Sequence, residues 1–251
     1  DITISNADGD NIVTTSATQL MLENDSTIFL EAIVTDFNFE EGIYDLNVEA
    51  SSDLDNATGN EYSNNSYSRK FEITENLYSL DGIGVYENPS LSSLGSDFND
   101  DASDFGICLM VKYTIEEATE ISGLEIGIAT SSMEGGPIFP FIIGEDAWLA
   151  NDPYNNRIVA NYDGAMVTQD NIDNNLLWAP LESTTLEPGT YFAGVELYSN
   201  GASPLRIYDD ETVAQPAEAS SMFIPGGVDQ IFIDGTAFAI RLGVNGFQPD
   251  Y

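Results

Sequence analysis

Tyr191-Phe192-Ala193-Gly194-Val195-Glu196-Leu197 decides the fold class. Tyr191, Ala193, Val195 and Leu197 interleave with Gly194 and Glu196. Successive side chains of a β-strand point to opposite faces, so this period of two describes a strand with one buried face. The pattern recurs where Leu124, Ile126 and Ile128 interleave with Glu125 and Gly127, and where Phe238, Ile240 and Leu242 interleave with Ala239 and Arg241. No long stretch keeps the helical spacing of 3.6. Further strands are predicted at 2–5, 11–15, 27–36, 43–50, 67–74, 107–114, 138–143, 157–161, 204–208 and 230–233, separated by clusters of Gly, Pro, Asn, Asp and Ser. Segment 115–120 is given one helical turn at most. Many short strands with frequent turn residues predict an all-β chain of sandwich or barrel type.

The composition narrows the chemistry. The chain has 251 residues, with 6 Lys and Arg against 43 Asp and Glu, a net charge of −37, no His and one Cys. Imidazole-dependent triads, Cys/His zinc sites and an intramolecular disulfide are therefore excluded within it. A hydrophobic fraction of 42% with 11% aromatic residues is that of a globular protein rather than of an acidic disordered tail. The negative excess repels phosphate backbones and anionic lipid, so nucleic acid and acidic membranes are not expected partners. No apolar run approaches the roughly 20 residues of a bilayer span. The charge predicts a saline or calcium-rich medium, in which cations relieve self-repulsion. Cys108 lies in the apolar run Ile107-Cys108-Leu109-Met110-Val111 and reads as a core thiol. The start at Asp1, without Met, reads as a piece of a longer, processed precursor.

A change of texture at 75–90 suggests two tandem β-sandwiches, 1–78 and 79–251, the first small and immunoglobulin-like, the second larger and jelly-roll-like. Several motifs carry a resemblance. They are Glu41-Gly42-Ile43-Tyr44-Asp45-Leu46-Asn47-Val48, then Ser52-Asp53-Leu54-Asp55 and Asn64-Asn65, then Phe71-Glu72-Ile73-Thr74-Glu75-Asn76-Leu77-Tyr78-Ser79-Leu80-Asp81. In the second half come Glu187-Pro188-Gly189-Thr190-Tyr191-Phe192-Ala193-Gly194-Val195 and Ala237-Phe238-Ala239-Ile240-Arg241-Leu242. Together they resemble the Ig-like modules, each followed by a second β-sandwich, of secreted multidomain surface proteins of Bacteroidota. The likeness touches about half the chain, through short motifs. It implies export by the type IX secretion system and an extracellular, cell-surface location; the sorting domain that such proteins carry is not recognisable in this sequence. It also implies an Ig-like module short at its N-terminus, whose missing strand a neighbour or another copy would supply.

Candidate sites follow from residue chemistry. Asp97, Asn99, Asp101 and Asp104 place hard oxygen ligands of the kind calcium prefers on one loop. The loop opens like an EF-hand and then departs from it: Ala102 replaces the turn glycine, and Cys108 replaces the bidentate Glu. A solvated acidic loop and a calcium site are its two readings. Asp8-Gly9-Asp10-Asn11, Asp53-Leu54-Asp55-Asn56 and Asp209-Asp210-Glu211 read as turns. Glu75, Asn76 and Asp81 form a weaker interdomain calcium candidate.

Trp148, followed by Asn151, Asp152 and Tyr154, matches an aromatic sugar platform with polar neighbours. Trp178, in the apolar Leu176-Leu177-Trp178-Ala179-Pro180, reads as core. Asp25-Ser26-Thr27 matches a Bacteroidota O-glycosylation pattern with Ser26 as acceptor; sequons at Asn24, Asn56 and Asn64 matter only in a eukaryotic secretory pathway. With 43 acids, a pair of carboxylates singles out no catalyst, and no nucleophile elbow or dinucleotide fingerprint is present. The expectation is a non-enzymatic surface segment that serves adhesion or an extracellular assembly, with other surface proteins or copies of itself as partners. A polysaccharide-binding module is the alternative.

Overall fold

The computed structural model describes residues 1–19, 39–51, 65–96, 105–198, 204–225 and 230–249. Regular structure is nearly all antiparallel β. The chain divides into two compact units: Asp1–Glu75 with Gly84–Tyr86, and Asn76–Ile83 with Glu87–Tyr251. The division falls at Glu75, and the short segment Gly84–Tyr86 returns to the first unit.

In the first unit, strands β1 (Ile2–Asn6), β2 (Asn11–Thr15), β3 (Gly42–Glu49) and β4 (Ser66–Ile73) form one sheet in the order β2-β1-β3-β4. Asp8-Gly9-Asp10 makes the β1–β2 turn. Gly9 has φ +84° and donates its N–H to the Asn6 carbonyl, a conformation that favours glycine. Tyr44 stacks on Phe71 across the sheet at 5.5 Å, and Phe39 meets both rings edge-on. Tyr86 accepts a hydrogen bond from the Lys70 N–H at 2.7 Å.

The second unit carries β5 (Leu77–Tyr78), β6 (Leu91–Gly95), β7 (Ile107–Ile115), β8 (Thr119–Gly127), β9 (Pro137–Gly144), β10 (Arg157–Ala160), β11 (Ala165–Met166), β12 (Leu176–Leu186) and β13 (Gly189–Leu197). They are followed by β14 (Arg206–Asp210), β15 (Ser220–Phe223), β16 (Ile231–Asp234), β17 (Ala237–Phe238) and β18 (Ile240–Val244). One sheet has the order β10-β9-β13-β7-β15-β16, with β11 also on β9. A second has the order β12-β8-β18-β5, and a third β17-β14-β6. A bridge between Ile128 and Ile207 links the latter two. Leu109, Val111 and Val195 from the large sheet pack with Ile126, Leu177 and Ile240 in one core, as a sandwich requires.

Several expectations change. Segment 115–120 is not helical: β7 runs through Ile115, β8 begins at Thr119, and the residues between them turn. The two short helices, α1 (Glu145–Leu149) and α2 (Gln169–Asp173), lie elsewhere, and α2 is capped by Thr168 and Asn171 in a reciprocal box. Asp209 and Asp210 end a strand and are buried, rather than forming a turn. The alternating strands are not buried on one face only: Glu125 and Glu196, the polar members of their patterns, are also buried. The predicted strand 27–36 lies outside the described residues.

Candidate functional site

The outer face of the large sheet holds the residues singled out for sugar contact. β9 ends at Gly144, and α1 follows at once. The loop after it, 150–156, then crosses the sheet and re-enters it as β10. This excursion lays Trp148 and Tyr154 on the second apolar cluster, built on Cys108, Met110, Phe141, Ile143, Phe192 and Phe223. The indole of Trp148 lies parallel to the Phe192 ring at 4.9 Å, and its N–H donates to Ser221 Oγ at 3.0 Å. Tyr154 donates its hydroxyl to the Gly106 carbonyl at 2.6 Å and sets its ring edge-on to Phe223. Burial pushes its phenol well above the ordinary tyrosine range, and the Cys108 thiol adds to the shift.

Asn151 and Asp152 shape the loop. Asn151 adopts φ +56°, and its Oδ1 accepts the Ile231 N–H at 2.8 Å, which ties the loop to β16. Asp152 accepts the Asn155 N–H at 3.1 Å and the Asn156 side-chain amide at 3.2 Å, which holds the loop closed on itself. The structure thus brings the four sugar candidates onto one face, with their named polar groups engaged inside the fold. The outermost ring of the group is Phe105, which the sequence reading did not include. It is 51% exposed and packs on Tyr154 at 4.7 Å.

Beneath the loop lies a buried ion pair. Arg157 Nη2 and Glu196 Oε2 are 2.6 Å apart, with side chains 4% and 6% exposed. Arg157 Nε donates to the Pro153 carbonyl at 2.8 Å, and the guanidinium lies over Phe141 at 4.2 Å. Glu196 Oε1 accepts from the Gly106 N–H and from the Tyr198 hydroxyl at 2.7 Å. Burial raises the Tyr198 phenol, and its hydrogen bond to Glu196 acts in the same direction. Cys108 is fully buried; burial raises its thiol strongly, and the Glu196 charge adds to the effect.

A second network occupies the outer face of the β12-β8-β18 sheet. Cross-strand register sets Trp178, Glu125 and Arg241 in one row. Arg241 forks onto Asp81, at 2.9 Å to Oδ2 and 2.7 Å to Oδ1, and donates through Nη1 to Glu125 Oε1 at 2.9 Å. Burial alone would depress this guanidinium, but the hydrogen bonds and charge of Asp81, joined by Glu125, carry it above the usual arginine value. Asp81, weighed as a calcium ligand, is thereby committed to Arg241. Trp178 is half-buried on this face, over Gly123 and Gly243, with Phe247 edge-on at 5.4 Å. Its indole is not in the sandwich core, because Leu177 and Ala179 take the inward positions.

Asp97, Asn99, Asp101 and Asp104 lie outside the described residues, as does Ser26. Among the described residues, no three Asp, Glu or Cys side chains converge as a metal cluster, and no helix is long and apolar enough to cross a membrane. No family model, curated protein or solved structure matches this chain.

Proposed function

We propose that this chain is a non-catalytic segment of an exported bacterial surface protein, serving adhesion or the framework of an extracellular assembly. The observation that carries the reading is the use of its scarce cations. Arg157 fastens the 150–156 loop to the large sheet, and Arg241 fastens segment 79–83 to the opposite layer. Each guanidinium donates both to carboxylate oxygen and to a backbone carbonyl, which stiffens a covering segment and leaves a strongly anionic exterior. A rigid sandwich with a self-repelling surface suits a spacer or adhesive module held in a cation-rich medium.

Surface labelling of intact producing cells with a membrane-impermeant reagent, followed by mass spectrometry, tests this reading. Labelled peptides of this chain on intact cells are expected. Recovery of the chain only from the soluble lysate, unlabelled, would overturn the proposal.

Phe105 favours a second reading, a glycan contact. The exposed Phe105 ring, tilted at 32° against Tyr154, whose next two residues are the exposed Asn155 and Asn156, has the aromatic and polar parts of a sugar site. Retention on immobilised polysaccharides would be lost in Phe105→Ala and weakened in Trp148→Ala. Retention unchanged by both substitutions would rule out this face as the binding site.

A further inference from the structure

Trp178 rests on a floor that only glycine permits. Gly123 and Gly243 face each other across β8 and β18. A Cβ on the first would lie 2.7 Å from the indole Cζ2, and a Cβ on the second 2.6 Å from Cη2. The ring, rooted on β12, therefore lies down across both neighbouring strands. Phe247 closes one side of it, edge-on at 5.4 Å, and the indole stays partly open to solvent.

The polar groups beside this ring are only partly engaged. Glu125 stands directly opposite Trp178 in the ladder, and Arg241 directly opposite Glu125. Residues so paired on one face have Cβ atoms about 5 Å apart. The Glu125 side chain is 6% exposed, yet only its Oε1 is used, by Arg241 Nη1 at 2.9 Å. Among the described residues Oε2 accepts no hydrogen bond, although it is not sealed from water. Arg241 spends Nε and Nη2 on Asp81 and the Ile83 carbonyl, and one N–H of Nη1 on Glu125, which leaves the other Nη1 N–H free. Trp178 Nε1 likewise donates to no described residue, whereas Trp148 gives its N–H to Ser221. Buried polar groups are ordinarily paired inside the fold, so a carboxylate held this deep with one oxygen unengaged is aimed at something outside it.

We propose that Trp178, Glu125 and Arg241 form a subsite for one pyranose ring of a neutral polysaccharide. This site lies on the other outer face from Phe105 and does not depend on the reading of that face. The C–H face of the sugar stacks on the indole. A ring hydroxyl donates to Glu125 Oε2, and its neighbour accepts from the free Arg241 Nη1 N–H; vicinal hydroxyls can do both, because each is a donor and an acceptor. A net charge of −37 and the Glu125 carboxylate repel an anionic sugar. A purely apolar partner would bury Oε2 and the Nη1 N–H without partners, which is unfavourable.

Native affinity electrophoresis of the whole chain in gels containing dextran, mannan, xyloglucan or the anionic alginate tests the proposal. At least one of the three neutral polymers is expected to retard wild type, and alginate is not. Trp178→Ala should weaken that retardation by about tenfold. In Trp148→Phe the indole of Trp178 is the only one left, and its emission should change when the retarding polysaccharide is added. That readout keeps the test alive if Trp178→Ala does not fold. Absence of retardation by all three neutral polymers would overturn the proposal, as would retardation by alginate alone. So would undiminished retardation of Trp178→Ala, or emission that stays unchanged in Trp148→Phe. Loss of retardation in Phe105→Ala but not in Trp178→Ala would place the ligand on the other face, overturning this subsite and supporting the Phe105 reading.

Discussion

Arg157 and Glu196 lie 39 residues apart in the chain, yet their charged atoms meet at 2.6 Å beneath the 150–156 loop. The pair is nearly free of water, so each charge depends on the other. Glu196→Ala would strand a buried guanidinium over Phe141, and breaking a buried pair in this way costs about 3–5 kcal/mol. Chemical unfolding should show that loss. Replacing both partners with apolar residues of similar size should cost less than the single change, and a loss below about 1 kcal/mol for Glu196→Ala would contradict the account.

Gly243→Ala is expected to dislodge an indole. A Cβ at this position would lie 2.6 Å from Trp178 Cη2 and 2.9 Å from Cζ3. The ring must lift from the sheet, at a cost of about 1–3 kcal/mol, the usual range for overpacking. Tryptophan emission should shift toward that of exposed indole while far-UV circular dichroism stays unchanged. An unshifted spectrum at unchanged stability would mean that the Trp178 roof is not tight.

The Asp209 carboxyl gives a pH signature. Its native value is raised, so the folded state holds the proton more firmly than the unfolded state does. Its contribution to stability is therefore fullest below the ordinary carboxylate value of about 3.9 and is lost as pH rises through the native value. Asp209→Asn has no such titration. The stability difference between wild type and variant should move against wild type as pH rises from the acid side toward neutrality. A difference independent of pH would refute the shift.

Cys108 should be inert in the native state. It is fully buried, and its thiol is raised far from thiolate formation. A thiol reagent at neutral pH should label one cysteine per chain only on addition of denaturant, at the rate of unfolding. Rapid labelling without denaturant would mean that the loop beginning at Ala150 opens readily.

Legibility differed between elements. β13 stands where alternation put it, β1, β2 and β9 where strands were predicted between turn clusters, and Cys108 is in the interior as its apolar run implied. β12 was not foreseen: in Leu176–Leu186 the apolar residues give way to Glu182, Ser183, Thr184 and Thr185, and the pairing with β8 shifts register between Pro180 and Thr184. β6 and β15 were missed for a related reason, since Leu91–Gly95 and Ser220–Phe223 are rich in serine and resemble loops. Their strand character comes from partners in the sheet rather than from composition.

The sequence alone determined the all-β class, the anionic surface and the exclusion of imidazole chemistry, because side-chain period, charge and residue type are local properties that no fold can alter. Which acids are buried was decided only by tertiary structure. Among the described residues Glu125, Glu196, Asp81, Asp209 and Asp210 are the buried acids, and nothing in their immediate neighbours marks them. They are set apart by what crosses them: Arg241 and Arg157 for three, backbone amides for Asp210, and the Ser92 and Thr236 hydroxyls for Asp209. Desolvation and pairing depend on distances across the sheets, which strand register fixes and sequence spacing does not.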